Sequence, residues 1–250
     1  MAGITDSQFV KLLIPYGFDM VTIGGYNIDK KTIKAGEEII KRGRKEFKID
    51  EEEIMNHIEN EVNEIKKEFN VSVSVNLRST TPDPIIEISK IKNLDIIELN
   101  AHCRQKELNN INCGQSMMKN PKYFEEFLKE LNKKSKSKTS VKIRANVEGV
   151  DTLKISEIIN KSKTSFLHID CMKPGHPYGD LEIIKKIKKN TNMFIIGNNS
   201  ITDIESSKNM LSAGASGISI ARAIMNGKPP FNLNQIKEYQ ESLNIRTTKK

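Results

Sequence analysis

The chain contains no tryptophan and only three cysteines and four histidines, and aromatic residues make up 6% of its 250 positions. Cys103, Cys113 and Cys171 form no C-x-x-C pair, and an odd number does not build a disulfide framework. A reducing compartment, the cytoplasm, is the expectation. His102 beside Cys103 is the one adjacent His/Cys pair. Neighbours on a chain rarely ligate one ion together, so no metal site is expected. No apolar run approaches the ~18 residues that span a bilayer. The first basic residue, Lys11, comes after Asp6, which is not the basic-then-apolar plan of a signal peptide. A Gly-rich dinucleotide turn is missing too, since Gly24-Gly25 is a pair and no more. These absences argue against a membrane protein, a secreted disulfide scaffold and a zinc or iron–sulfur module.

What is present is charge and periodicity. Lys and Arg total 40 against 32 Asp and Glu, a net charge of +8. That excess suits either contact with a phosphate backbone or Lys-rich, solvated helix faces. Short apolar runs fall at 20–23, 71–77, 96–99, 140–143, 166–169, 193–196 and 217–220, rich in Val, Ile or Phe as buried strands are. Helical patterns lie between them, at 7–16, 31–44, 51–69, 84–91, 121–133, 152–160, 180–189 and 203–213. Pro121 suits a first turn, Thr202 a cap and Gly214 a stop. Alternating strands and helices give an α/β fold with a parallel sheet. Seven strands and this length fit an eight-fold β/α (TIM) barrel over 1–235, its first strand truncated to 1–3. A doubly wound open sheet is the alternative. A helical insertion at about 29–69 and a C-terminal helix with a basic tail at 236–250 complete the expected organisation.

In such a barrel the carboxyl ends of the strands form the active face. The runs end in Asn76, in Asn100 with Cys103 just after, in Lys142 and Arg144, in His168 and Asp170, in Gly197-Asn198-Asn199-Ser200, and in Ala221-Arg222-Ala223. Loops after the last two strands often make a phosphate site in barrels. Gly197 allows close backbone approach, N–H groups toward Thr202 can donate, and Arg222 can add a bidentate contact. Lys142 then stands where a cation stabilises the negative charge of a reduced flavin, which suits FMN better than NAD.

These residues resemble the tRNA-dihydrouridine synthase family of FMN barrel enzymes, in a short archaeal-type form. The opening Met1-Ala2-Gly3-Ile4-Thr5-Asp6 is similar to the family's P-M-A-G-x-T-D, and Leu99-Asn100-Ala101-His102-Cys103 to its N-x-G-C-P segment. Val141-Lys142-Ile143-Arg144 matches its V-K-x-R strand and Leu167-His168 the start of I-H-x-R-T. Gly197-Asn198-Asn199 with Ile201 looks like G-N-G-D-I, and Ala221-Arg222-Ala223 like its G-R-A phosphate loop. The resemblance implies that Met1, Ala2, Asn76, Lys142 and His168 lie against the flavin. It implies that Gly197, Asn198, Asn199, Ala221 and Arg222 hold the phosphate. Asn100 would contact a substrate uracil, Arg144 would face flavin or substrate, and Cys103 would be the proton donor. NADPH or NADH would reduce FMN, and hydride would pass to C6 of uracil in tRNA while Cys103 protonates C5.

The sequence also departs from the family pattern. His102 and Arg104 replace a Gly and a Pro, Asp170 replaces an Arg, Ser200 replaces an Asp, and the separate C-terminal helical domain is missing. These differences keep two alternatives open, a flavin oxidoreductase of a free pyrimidine or dihydroorotate-like molecule, and a non-catalytic barrel that binds a phosphorylated ligand. Met1 coincides with an internal Met of the family motif, which favours a start lying upstream over an open barrel.

Overall fold

The computed structural model describes residues 2–248, with side chains as far as Leu243. Seven parallel strands form one curled sheet in chain order: β1 Met20–Asn27, β2 Ser72–Arg78, β3 Ile96–Ala101, β4 Lys138–Arg144, β5 Phe166–Asp170, β6 Phe194–Asn198 and β7 Gly217–Ser219. The helices are α1 Ser7–Leu13, α2 Lys30–Lys41, α3 Ile54–Glu68, α4 Pro82–Ile88, α5 Lys106–Asn109, α6 Pro121–Lys134, α7 Thr152–Lys161, α8 Leu181–Asn190, α9 Ile204–Ser212 and α10 Asn234–Thr248. Among the described residues no ladder joins β7 to β1, so this is a β/α barrel left open. Ala2 to Ile4 turn rather than extend, and Thr5 makes an isolated antiparallel bridge to Gly24. The first strand expected at 1–3 is therefore replaced, among the described residues, by one bridge on the edge of β1.

Several boundaries differ from the sequence expectation for local reasons. The helix expected at 7–16 tightens to a 3₁₀ turn at Ile14–Tyr16, where Pro15 removes a donor, and ends at Gly17. β1 runs past the expected 20–23 through a bulge at Gly25, which lets Tyr26 enter the core fully buried. α4 starts at Pro82 rather than 84, with Thr81 ahead of a proline-led first turn. α9 is capped by Asp203 rather than Thr202, in a reciprocal box with Ser206.

Strand side chains alternate between two faces. The registered residues Leu99, Val141 and Leu167, and likewise Ala101, Ile143 and Ile169, share one parity and are fully buried in the main core. That parity faces the helices: a Cβ on Gly197, paired with Ile169, would lie 2.4 Å from Met210 Sδ on α9. Ile58, Val62 and Ile65 of α3, Phe124 and Leu128 of α6, and Ile184 and Ile187 of α8 complete this layer. Burying each such side chain stabilises the fold by roughly 1.5–3 kcal/mol. The other parity points into the barrel, and there the sequence turns polar.

Candidate active site

The inward parity forms rows that climb toward the carboxyl ends of the strands. Asn76, Glu98 and Ser140 are in register in the lowest row. Asn100, Lys142, His168 and Ile196 make the next, and Arg144, Asp170, Asn198 and Ser219 the uppermost.

Glu98 organises the lower row. It is 1% exposed, and buried charge survives only when its oxygens are matched. Asn76 Nδ2 donates to Oε1 at 2.7 Å, while Ser140 Oγ at 3.0 Å and His168 Nδ1 at 2.8 Å share Oε2. Burial opposes ionisation, but His168, the Lys142 charge and the Asn76 bond outweigh it and hold the carboxyl well below the usual range. Burial, then Lys142, lowers the His168 pKa. Neutral His168 donates through Nδ1–H to Glu98 and keeps its lone pair on Nε2. That buried Nε2 has no partner among the described residues.

The upper row centres on Asp170. Its Oδ2 receives Arg144 Nη1 at 2.9 Å and His102 Nε2 at 2.8 Å, and its Oδ1 receives Asn199 Nδ2 at 2.7 Å. Burial opposes the charge, yet His102 and Arg144 hold the carboxyl well below its ordinary value. Burial lowers His102 to about 4, against weaker support from Asp170. At neutral pH its Nε2–H therefore donates to Asp170. The charge that Asp170 brings to the mouth is thus matched by Arg144.

Cys103 sits on the loop after β3, 8% exposed. Asn100 shapes this loop. Its Oδ1 accepts the N–H groups of Cys103 at 3.0 Å and His102 at 3.2 Å, and its Nδ2 donates to Asn76 Oδ1 at 2.7 Å. Gly114 closes over it, where a Cβ would meet the Cys103 carbonyl oxygen at 2.4 Å. Burial pushes the thiols of Cys113 and Cys171 up to about 12, which keeps both protonated.

The two phosphate-loop segments meet where Asn198 Nδ2 donates to the Ser219 carbonyl at 2.8 Å. Asn199 and Ser200 adopt left-handed φ values of 106° and 54°. Arg222 is exposed and makes no ion pair among the described residues, and Ala221 is half-buried next to it. Gly197 is glycine because Met210 and Ala215 crowd its helix-facing side. The N–H groups expected to donate toward Thr202 are engaged at the helix start, where the Thr202 and Asp203 amides donate to Ser206 Oγ and the Ser206 amide to the Asp203 carboxylate. The amides ahead of Thr202, together with Arg222, therefore remain as donors there. Ala2 is half-buried in the N-terminal turn, and Met1 lies outside the described residues.

The structure thus brings Asn76, Asn100, Cys103, Lys142, Arg144 and His168 to one end of the sheet, with 197–199 and 221–222 beside them. It adds residues that the strand-end reading passed over. Glu98 reads in sequence as a lone acid within an apolar strand, and its only signal is its parity with Asn76 and Asn100. Arg78 follows the run 71–77 by one residue. Its Nη1 binds Glu46 Oε2 at 2.6 Å and Asn27 Oδ1 at 3.3 Å, and its Nε is buried without a partner among the described residues. No sequence signal pairs Arg78 with Glu46, which lies 32 residues earlier.

These residues suit a flavin. The unpartnered Nε2 of His168 and the Lys142 ammonium, which forms no ion pair among the described residues, lie side by side in one row. That gives an acceptor and a cation for a polar ring edge.

The dihydrouridine synthase family matches residues 1–248. An uncharacterized protein of Methanocaldococcus jannaschii is 42% identical over 248 residues, covering 95% of this chain and 90% of its own. Two crystal structures of DHODH from Eimeria tenella share the fold. One, in complex with ferulenol, has TM-score 0.58 and 12% identity over 78% of this chain; the other, ligand-free, has TM-score 0.57 and 12% identity over 76%. The chain spans 65% and 66% of their lengths, just under two thirds. A match along almost the whole chain, with a relative of this identity, places the protein: it belongs to the dihydrouridine synthase family, and with it to the FMN-dependent oxidoreductases.

Proposed function

We propose that the protein reduces the C5–C6 bond of a pyrimidine ring. The observation that carries this reading is the inward row of Asn100, Lys142 and His168, with Cys103 held over it by Asn100. Asn76, Lys142 and His168, with Ala2 beside them, would hold the isoalloxazine ring; Asn198, Asn199, Ala221, Arg222 and the Gly197 backbone would hold the phosphate. When bound, FMN supplies the hydride that reaches C6 of the pyrimidine, and NADPH or NADH restores it. Lys142 supplies a positive charge beside the ring. Cys103 holds the proton that C5 needs, since an ordinary thiol is protonated at neutral pH. Glu98 fixes the tautomer of His168, and Arg144 is kept in place by Asp170.

The family points to uracil within tRNA, and the net charge of +8 suits an RNA partner. A uracil in folded RNA must be extruded to reach this interior. A free pyrimidine or dihydroorotate-like molecule is the second reading. It is favoured by Asp170, which engages Arg144 and so leaves that guanidinium less available to an RNA phosphate. A cytoplasmic location belongs to the same proposal. Mass spectrometry of the molecule that co-purifies with the protein tests the cofactor, with FMN expected; a different phosphorylated ligand overturns the flavin reading. Anaerobic turnover of uracil, dihydroorotate and unmodified tRNA then separates the substrates. Activity on tRNA that falls steeply with salt supports the first reading, and activity on the free bases alone supports the second.

A further inference from the structure

The guanidinium of Arg78 is the strongest unexplained group in the interior. Its side chain is 6% exposed and that of its partner Glu46 is 4% exposed. The Nη1 end is committed to Glu46 and Asn27, yet Nε–H has no acceptor among the described residues. An unmet buried donor is costly, the more so on a charged group, so a ligand atom is the natural completion. The direction of Nε is set by its neighbours. A Cβ on Gly25 would lie 3.5 Å from Arg78 Nε, 3.4 Å from Asn100 Nδ2 and 2.6 Å from Asn76 Oδ1. Three polar groups thus gather closely around Gly25 at the bulge of β1, where only a residue without a Cβ fits. Leu77 pairs with Leu99, so continuing the register sets Arg78 beside Asn100, whose Oδ1 holds the Cys103 amide.

We infer that Arg78 is an electrophilic catalytic residue, its Nε–H donating to the C4 carbonyl oxygen of the pyrimidine. This rests on the reading of the site given above. The assignment to O4 follows from Cys103: the thiol protonates C5, and C4 is bonded to C5. Hydride addition at C6 is a conjugate addition. As the new C6–H bond forms, the C5=C6 pair moves to C4–C5 and the C4=O pair moves onto O4. Negative charge thus appears on O4 in the transition state, where a fixed cationic donor is worth most. The charge returns when the Cys103 S–H bond breaks and its proton joins C5; the thiolate then takes a proton from water. The ring gains two electrons and two hydrogens, and the reduced flavin is oxidised by two electrons. Glu46 and Asn27 hold the guanidinium by its far nitrogen and so aim Nε, which makes Glu46 a positioning residue.

The test combines Arg78→Lys with alteration of the acceptor. Lysine keeps the charge beside Glu46 but lacks the fork that presents Nε–H. Uracil, 2-thiouracil and 4-thiouracil, or tRNA transcripts made with the corresponding uridines, are compared in single turnovers of prereduced enzyme. In the unaltered protein, 4-thio substitution is expected to slow reduction roughly 10- to 100-fold relative to 2-thio substitution, the scale of one hydrogen bond to a charged group. In Arg78→Lys the two analogues are expected to react within about 2-fold of each other, while FMN content and melting temperature stay as they were. Glu46→Gln is expected to give an intermediate loss in kcat with little change in KM. Equal sensitivity to 4-thio substitution in both proteins overturns the role of Arg78. So does loss of FMN from a folded Arg78→Lys protein, which would assign Nε to the cofactor. If Arg78→Lys does not fold, Glu46→Gln carries the same comparison. A protein that binds no flavin, or that acts on none of these pyrimidines, overturns the functional reading and this inference with it.

Discussion

Individual side chains at the site are held by specific partners, and their chemistry is testable one at a time. Cys103 is positioned by a hydrogen bond from its backbone N–H to Asn100 Oδ1 rather than by its thiol. Cys103→Ala should therefore leave flavin reduction by the nicotinamide intact and slow pyrimidine reduction by about 10²–10⁴-fold, the usual range for a lost general acid. Stopped-flow measurement of the two half-reactions decides this, and equal loss in both would point to a damaged fold. Titration gives a second prediction. His102 has its pKa lowered to about 4 in the fold, from an ordinary 6.5. The unfolded chain thus binds a proton first, and stability present above pH 6.5 is lost as pH falls toward 4. For this one group the loss is at most about 3 kcal/mol. Glu98 and Asp170, both held below the usual carboxylate range, are lost in the same direction but at still lower pH. Thermal melting should show a decline beginning near pH 6.5, and replacing His102 with Asn should reduce it, the remainder coming from His168, whose pKa burial also lowers.

At the level of elements, the loop after β6 combines two separate demands. Gly197→Ala places a methyl group 2.4 Å from Met210 Sδ and 2.5 Å from Met210 Cγ. Overpacking of this kind costs about 1–3 kcal/mol. Denaturant melts should show that loss, and adding Met210→Ala should recover part of it. Arg222→Ala should leave stability unchanged and weaken FMN binding by roughly 1.5–3 kcal/mol if its charge meets the phosphate. Unchanged affinity would remove Arg222 from the site. The same loops show where the sequence is legible. The apolar runs and the alternation of elements reveal seven strands, because a strand buried on its helix side must be written in Val, Ile and Leu. Residues at strand ends are readable as candidates for the same reason, since polarity interrupts the run. Glu98 is not readable that way, because it lies inside the run and is made tolerable only by Asn76, Ser140 and His168 from three other strands. Arg78 is hidden because its partner comes from a stretch without helix or strand. Thr202 and Asp203 are adjacent and both suit a cap, so backbone geometry alone decides between them.

Over the whole molecule, the sheet is a ring with two ends. One end, β1, has eight residues, carries the bridge from Thr5 and is packed by Tyr26 against Phe47, with ring centroids 4.6 Å apart. The other, β7, has three residues, all only half-buried, and pairs with β6 alone among the described residues. Backbone hydrogen bonds in a closed barrel share one fate, since no strand is first to leave. Here the cost of opening must grow inward from the two ends, and is lowest at the short β7. Amide exchange should therefore follow a gradient around the ring: fastest in β7, slower in β6 and β5, and slowest in β3 and β4, which are paired on both sides and open only with the whole domain. The amides of Asn198 and Ser219, next to the phosphate loops, fall at the fast end of that gradient, and the Lys142 and His168 amides nearer the slow end. The half of the site that would grip the ring is thus built on the durable part of the sheet, and the half that would grip the phosphate on the part that opens first.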